Sequence, residues 1–228
     1  MSSLGERFLN ACEYGNLEEV KRLLEIQGIE ASINHKTQYG STPFLMACLN
    51  GHAQVAWILQ HHPKVNVNYQ SDAGCTGFYY ACWKGHLEIV RNLANDPRVD
   101  INLVNQYQVT PFCIACSIGH SHIVKYLLAI ERFVDINKPN KIGTSPLAGA
   151  KWRITSTKKF SWETEEQFQY SKRSCPFVVS ILEQYNRDPY NTKNQFRREF
   201  GLGKLFFFFH FFFFFFILNT LFSSLIFL

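Results

Sequence analysis

Charge is scarce in this sequence, and its absence is patterned. Only 18% of the 228 residues are Asp, Glu, Lys or Arg. Residues 1–150 hold 12 basic and 12 acidic side chains and so no net charge. A nucleic-acid footprint needs a basic face, so a neutral body speaks against nucleic acid as a partner. Residues 205–228 hold no charged side chain of these four types. The net charge of +5 therefore sits between, where residues 151–204 carry 11 basic and 6 acidic groups. That stretch reads as a solvated surface or as a basic patch beside a membrane.

Reactive motifs are missing as well. The chain has no Walker loop, dinucleotide fingerprint, nucleophile elbow or kinase signature. No group of residues meets the requirements of a catalytic constellation, so no enzyme activity and no cofactor are expected. The first residues, Met1 to Arg7, lack the apolar core of a secretory signal. The seven cysteines are odd in number. Reduced thiols and a cytoplasmic location are expected on both counts.

What the sequence does have is repetition. Thr42, Thr76, Thr110 and Thr144 fall at intervals of 34 residues. Thr42-Pro43-Phe44-Leu45-Met46-Ala47-Cys48 runs on to Gly51-His52. Thr76 to Ala81-Cys82 and Gly85-His86, then Thr110-Pro111-Phe112 to Ala115-Cys116 and Gly119-His120, repeat it. Ala11-Cys12 and Gly15 open a degenerate first copy. Threonine is a good helix N-cap, proline suits the first helical turn, and glycine suits a left-handed stop. After each stop an apolar stripe follows at helical spacing, such as Leu87, Ile89, Val90 and Leu93. Short exits follow, Val65-Asn66, Val99-Asp100-Ile101-Asn102 and Val134-Asp135-Ile136-Asn137. No single unit can bury its stripe, whereas stacked units bury a continuous core.

This pattern resembles the ankyrin repeat family. The Thr-Pro-Phe openings, Ala-Cys pairs, Gly-His turns and Val-Asn or Ile-Asn exits carry the resemblance, over residues 4–188. It implies an all-α solenoid of helix–turn–helix–loop units with short β-hairpin-like tips. The units are expected at 4–36, 37–70, 71–104, 105–138 and 139–188. In the last, the first helix is expected from Pro146 and the second over Cys175 to Glu183. An insertion at 151–174 between them is expected to hold its own helix, Trp162 to Lys172. A basic linker, 189–204, and a Phe-rich tail, 205–228, complete the division. This chain departs from the family in having Gly77 for the helix-opening proline. Gln108 also replaces a turn glycine, so that turn is expected to find another geometry.

Cys113-x2-Cys116-x3-His120-x-His122 has the residue types of a zinc site. The copies of Cys116 and His120 in the other units explain those two residues without a metal, so no metal is expected. The resemblance implies instead that the repeated histidine bonds across neighbouring turns. It also implies a non-catalytic protein–protein interaction module, an adaptor or scaffold, whose concave face binds another protein. Carried onto this chain, the partner-binding residues are Tyr14, Tyr39, Asn50, Asp72, Trp83, Lys84, Tyr107 and Ile118. Tyrosine and tryptophan there suit hot spots; packing of Tyr14 and Trp83 against adjacent units is the competing reading. A regulatory subunit of an enzyme is a further reading.

The tail holds 12 Phe among 19 apolar residues of 24. As a helix it would span about 36 Å, enough for a bilayer core. With Arg197, Arg198 and Lys204 before it, it is arranged like the anchor of a membrane adaptor whose body faces the cytosol. Phe codons are T-rich, so a translated T-rich non-coding stretch would read the same way.

Overall fold

The protein is described by a computed structural model covering residues 3–159 and 163–202. The Phe-rich tail lies outside the described residues, as does the expected helix start at Trp162. Among the described residues no helix is long and apolar enough to cross a membrane.

Ten α-helices pair into five stacked units. The inner helices are α1 (Leu4–Glu13), α3 (Pro43–Asn50), α5 (Gly77–Lys84), α7 (Pro111–Ile118) and α9 (Pro146–Thr155). The outer helices are α2 (Leu17–Leu24), α4 (Ala53–His61), α6 (Leu87–Asn95), α8 (Ser121–Ala129) and α10 (Glu165–Arg187). The threonines act as the sequence implies: the Thr42, Thr76 and Thr110 hydroxyls accept from the amides of Leu45, Tyr79 and Cys113. Gly51, Gly85 and Gly119 stop the inner helices in the left-handed region, at φ of 82°, 85° and 92°. Asparagines stitch the opposite edge. Asn34, Asn68 and Asn102 each donate to a carbonyl of the next unit, those of Lys64, Arg98 and Phe133.

Thr144 departs from this series. The cap of α9 is Ser145, whose hydroxyl accepts from the Ala148 amide. Ala150 is fully buried like Ala47, Ala81 and Ala115, which puts α9 one residue behind the threonine ladder. The extra residue lies in the loop Ile130 to Phe133, between α8 and the Val134-Asp135-Ile136 exit. The even spacing of Thr144 is therefore a coincidence.

Gln108 also differs from expectation. Its φ is +58°, in the same left-handed region as its counterparts Gly40, Gly74 and Gly143. The turn keeps its geometry because backbone bonds on both sides hold it, and the glutamine takes the strain. Gly77 is explained by packing. A Cβ there would sit 2.8 Å from Phe44 and 2.9 Å from the Cys48 sulfur. An alanine or proline there would force one of these side chains to shift.

The last unit is rebuilt. The expected inserted helix and the expected second repeat helix are one continuous helix, α10, 23 residues long with Pro176 inside it. Val178 and Leu182 fill the places of Ile123 and Leu127, so the C-terminal half of α10 is the outer helix of unit 5. Cys175 takes the histidine's place: its thiol donates to the Ser117 carbonyl at 3.5 Å. Residues 189–199, expected as linker, form helix α11 (Pro189–Glu199). It folds back onto α8 through buried Phe196 and a Lys125–Glu199 ion pair at 2.8 Å.

Both ends of the stack turn polar. Glu19 stands where Val55, Ile89 and Ile123 are buried, and Arg7 and Arg22 pair with it. Lys151 stands where Cys12, Cys48, Cys82 and Cys116 are buried, and it pairs with Glu183 at 2.7 Å. Charge at these registers matches what the end units of a solenoid need.

Candidate partner-binding face

The face is built on two rows. The first is formed by the loop tips. Each is a tight turn closed by its own backbone bonds, as in Ser71 N–H to Cys75 C=O at 3.0 Å. Among the described residues no segment is a strand. Adjacent tips instead share one backbone hydrogen bond each, from Asp72 to Tyr39, Gln106 to Ala73 and Lys141 to Tyr107. Tyr39 and Tyr107 therefore project from a braced backbone, with 69% and 60% of their surface exposed. Asp72 is exposed between them and packs against Gly40. Ile142, exposed at the tip of unit 5, extends the row, and sequence reasoning missed it.

The second row follows the turns after the inner helices. Tyr14, Asn50, Lys84 and Ile118 each precede a turn glycine. Tyr14 is 77% exposed, which answers the reading that it packs against its neighbour. Asn50 is exposed and donates to the Glu13 carbonyl at 3.0 Å. Lys84 lies over its neighbour, 4.4 Å from the Trp83 ring centroid. Trp83 is half-buried and its ring lies 6.1 Å from that of Tyr80. Ile118 was expected to be open, but only 7% of it is exposed, because α10 covers it. Ser41 and Cys75, at the same tips as Tyr39 and Asp72, are buried too.

Histidines hold these turns together. His52, His86 and His120 contact the carbonyls of Glu13, Leu49 and Trp83 through Nε2, at 2.8, 3.1 and 3.0 Å. A carbonyl only accepts, so each Nε2 carries a proton. Burial pushes the pKa of His120 down to about 4, which leaves its ring neutral near pH 7. Its Nδ1 then accepts from the Tyr170 hydroxyl of α10 at 3.4 Å. His122 contacts the Gly85 carbonyl instead. Cys113 and Cys116 are buried, and among the described residues no cluster could hold a metal ion. Desolvation raises all seven thiol pKa values, to about 11 for Cys75 and Cys113.

The insertion adds a wall to the face. Residues from Glu163 to Tyr170 stand opposite Trp83, Lys84 and Ile118 and enclose a recess of about 220 Å³. A buried ion pair between Arg153 and Glu163 anchors the wall. Arg153 also donates to Ser171 at 2.7 Å and lies 4.9 Å from the Phe168 ring centroid. No repeated copy exists for these residues, so the sequence alone could not pair them.

A family model described as ankyrin repeats (3 copies) matches residues 8–105 and again residues 80–153. The chain belongs to the ankyrin repeat family. No curated protein matches it. Ankyrin repeats are generally protein–protein interaction modules and generally non-catalytic. The ankyrin match stops inside α9, so the whole wall and all of α11 lie beyond it.

Proposed function

We propose that this ankyrin array is the binding part of an adaptor or scaffold, and that it takes another protein on its concave face. The observation that carries this is the pair of exposed tyrosines, Tyr39 and Tyr107, on tips whose backbones are tied to their neighbours. Rigid aromatic side chains with a polar end suit interface anchors, because they bury much area at little entropic cost. Trp83 and Lys84 continue the face inward. A catalytic subunit as the partner would be the regulatory form of the same reading. The location we propose is cytoplasmic, and seven free, buried cysteines support a reducing compartment.

The test is partner capture by cross-linking from Tyr107, followed by affinity measurement with the identified protein. Trp83→Ala is expected to weaken binding about 30-fold, the scale of a hot spot worth about 2 kcal/mol. The circular dichroism of the variant should match that of the parent. Unchanged affinity, or an unfolded variant, would remove Trp83 from the face.

A further inference from the structure

The wall changes the turn row from open to closed. Along Tyr14, Asn50, Lys84 and Ile118, the first two are exposed, Lys84 is half-buried and Ile118 is covered. A segment lying along this row from unit 1 therefore meets its last accessible side chain at Lys84. There it enters the recess between the end of α5 and the first turns of α10.

The recess holds about 220 Å³. Small-molecule pockets run about 300–1,000 Å³, so this one suits a single side chain better than a cofactor. Its floor and sides are apolar or neutral: Trp83, Ile118, neutral His120 and Tyr170. Three charged groups line it. Glu163 is already paired with Arg153 inside the protein. Glu166 is exposed on the first turn of α10, where the helix terminus stabilises a carboxylate and water solvates it. Lys84 is different. Its ammonium lies against the Trp83 ring and has no ion pair among the described residues. Burial lowers its pKa, the mark of a cation that has lost water without gaining an anion. A half-desolvated cation beside an aromatic floor complements a carboxylate on a short apolar stem.

We propose that this recess receives an acidic side chain, Asp or Glu, from an extended partner segment, with its carboxylate on Lys84 and its stem against Trp83. This deepens the concave-face reading and rests on it. The wall supplies specificity, since a regular ankyrin unit would leave the place of Ile118 open.

The test is selection of random twelve-residue peptides displayed on phage against the full chain, held in detergent. Selected peptides are then measured by fluorescence polarisation. They are expected to share an acidic residue. Converting that residue to its amide should cost about 10-fold in affinity, the scale of one charge-assisted hydrogen bond. Lys84→Met should cost about the same, and the two changes together should cost little more than either alone. Matching circular dichroism shows that Lys84→Met still folds. If the peptides lose affinity with Tyr107→Ala but the amide change is not coupled to Lys84→Met, the carboxylate inference is wrong and the concave-face reading stands. If neither Tyr39→Ala, Trp83→Ala nor Tyr107→Ala affects binding, both fail. Failure to select any peptide also overturns the inference.

Discussion

The interfaces between units 1 and 4 reuse the same atoms, whereas the interface between units 4 and 5 solves the same problem with different ones. In the first three, a histidine reaches back to a carbonyl and a left-handed glycine leaves it room. In the last, a cysteine thiol reaches back and Ser174 packs on Gly119. The inner helix of unit 5 does not stop at a glycine, and its last turns carry Arg153 into a fully buried pair with Glu163. The repeated interfaces combine neutral hydrogen bonds and apolar packing with charged groups nearer the surface, as where Arg98 donates to the Gln60 carbonyl and Arg132 to those of Ala94 and Val99. Unit 5 is also tied together internally by two fully buried charges. Buried charges give little net stability when paired and cost a great deal when one is removed.

The largest test of that contrast is Arg153→Ala. It leaves the Glu163 carboxylate buried without its guanidinium, and the expected loss is about 3–5 kcal/mol in urea denaturation. Amide exchange should quicken along α10 and remain slow in residues 87–128. A loss under about 1 kcal/mol, or one spread evenly through the stack, would contradict a charge-dependent last unit. Gly77→Pro probes the repeated region. Pro43 and Pro111 open the equivalent helices, so sequence comparison favours proline there. Contact with Phe44 and Cys48 favours the opposite, and the expected effect is a loss of about 1–3 kcal/mol from overpacking. A stabilised Gly77→Pro would show that α5 can shift away from α3. Gln108→Gly is the smallest change and should stabilise by about 0.5–1 kcal/mol, as left-handed strain is relieved at an exposed tip. Thermal unfolding at matched concentration reads it, and a lower midpoint would mean that the side chain makes up for its backbone.

The contrast also sets what was legible in the sequence. Units 2 to 4 could be read because each residue had two aligned copies: the Thr caps, the Gly stops and the histidine bridges all lie where the copies place them. Gln108 was misjudged because residue type was taken to set the turn, whereas the neighbouring tips set it. Thr144 fell at the expected interval by chance, and only the burial of Ala150 and the cap at Ser145 show the true register. Unit 5 had no second copy. The fusion of two helices into α10, the pairing of Arg153 with Glu163 and the covering of Ile118 all depend on contacts between segments of unlike sequence. On the candidate face, Tyr14, Tyr39, Asn50, Asp72 and Tyr107 are exposed as the repeat geometry requires. The recess beside Lys84 is a product of the wall and could not be seen without it.

Pro176 marks where the wall meets the repeated part of unit 5. Proline has no N–H, so the rung back to Lys172 is missing from the otherwise continuous α10. The missing rung falls just after Cys175, where a regular outer helix would begin, and beyond it the buried residues Val178, Ile181 and Leu182 keep their repeat places. The residues that the other units lack thus lie upstream of a helix start rather than within a packed stripe. Lengthening a helix backwards from its first turn needs no new corner and moves no core residue. A stacked array can in this way acquire a partner-specific surface by extension, at a position where its inherited packing is indifferent to length.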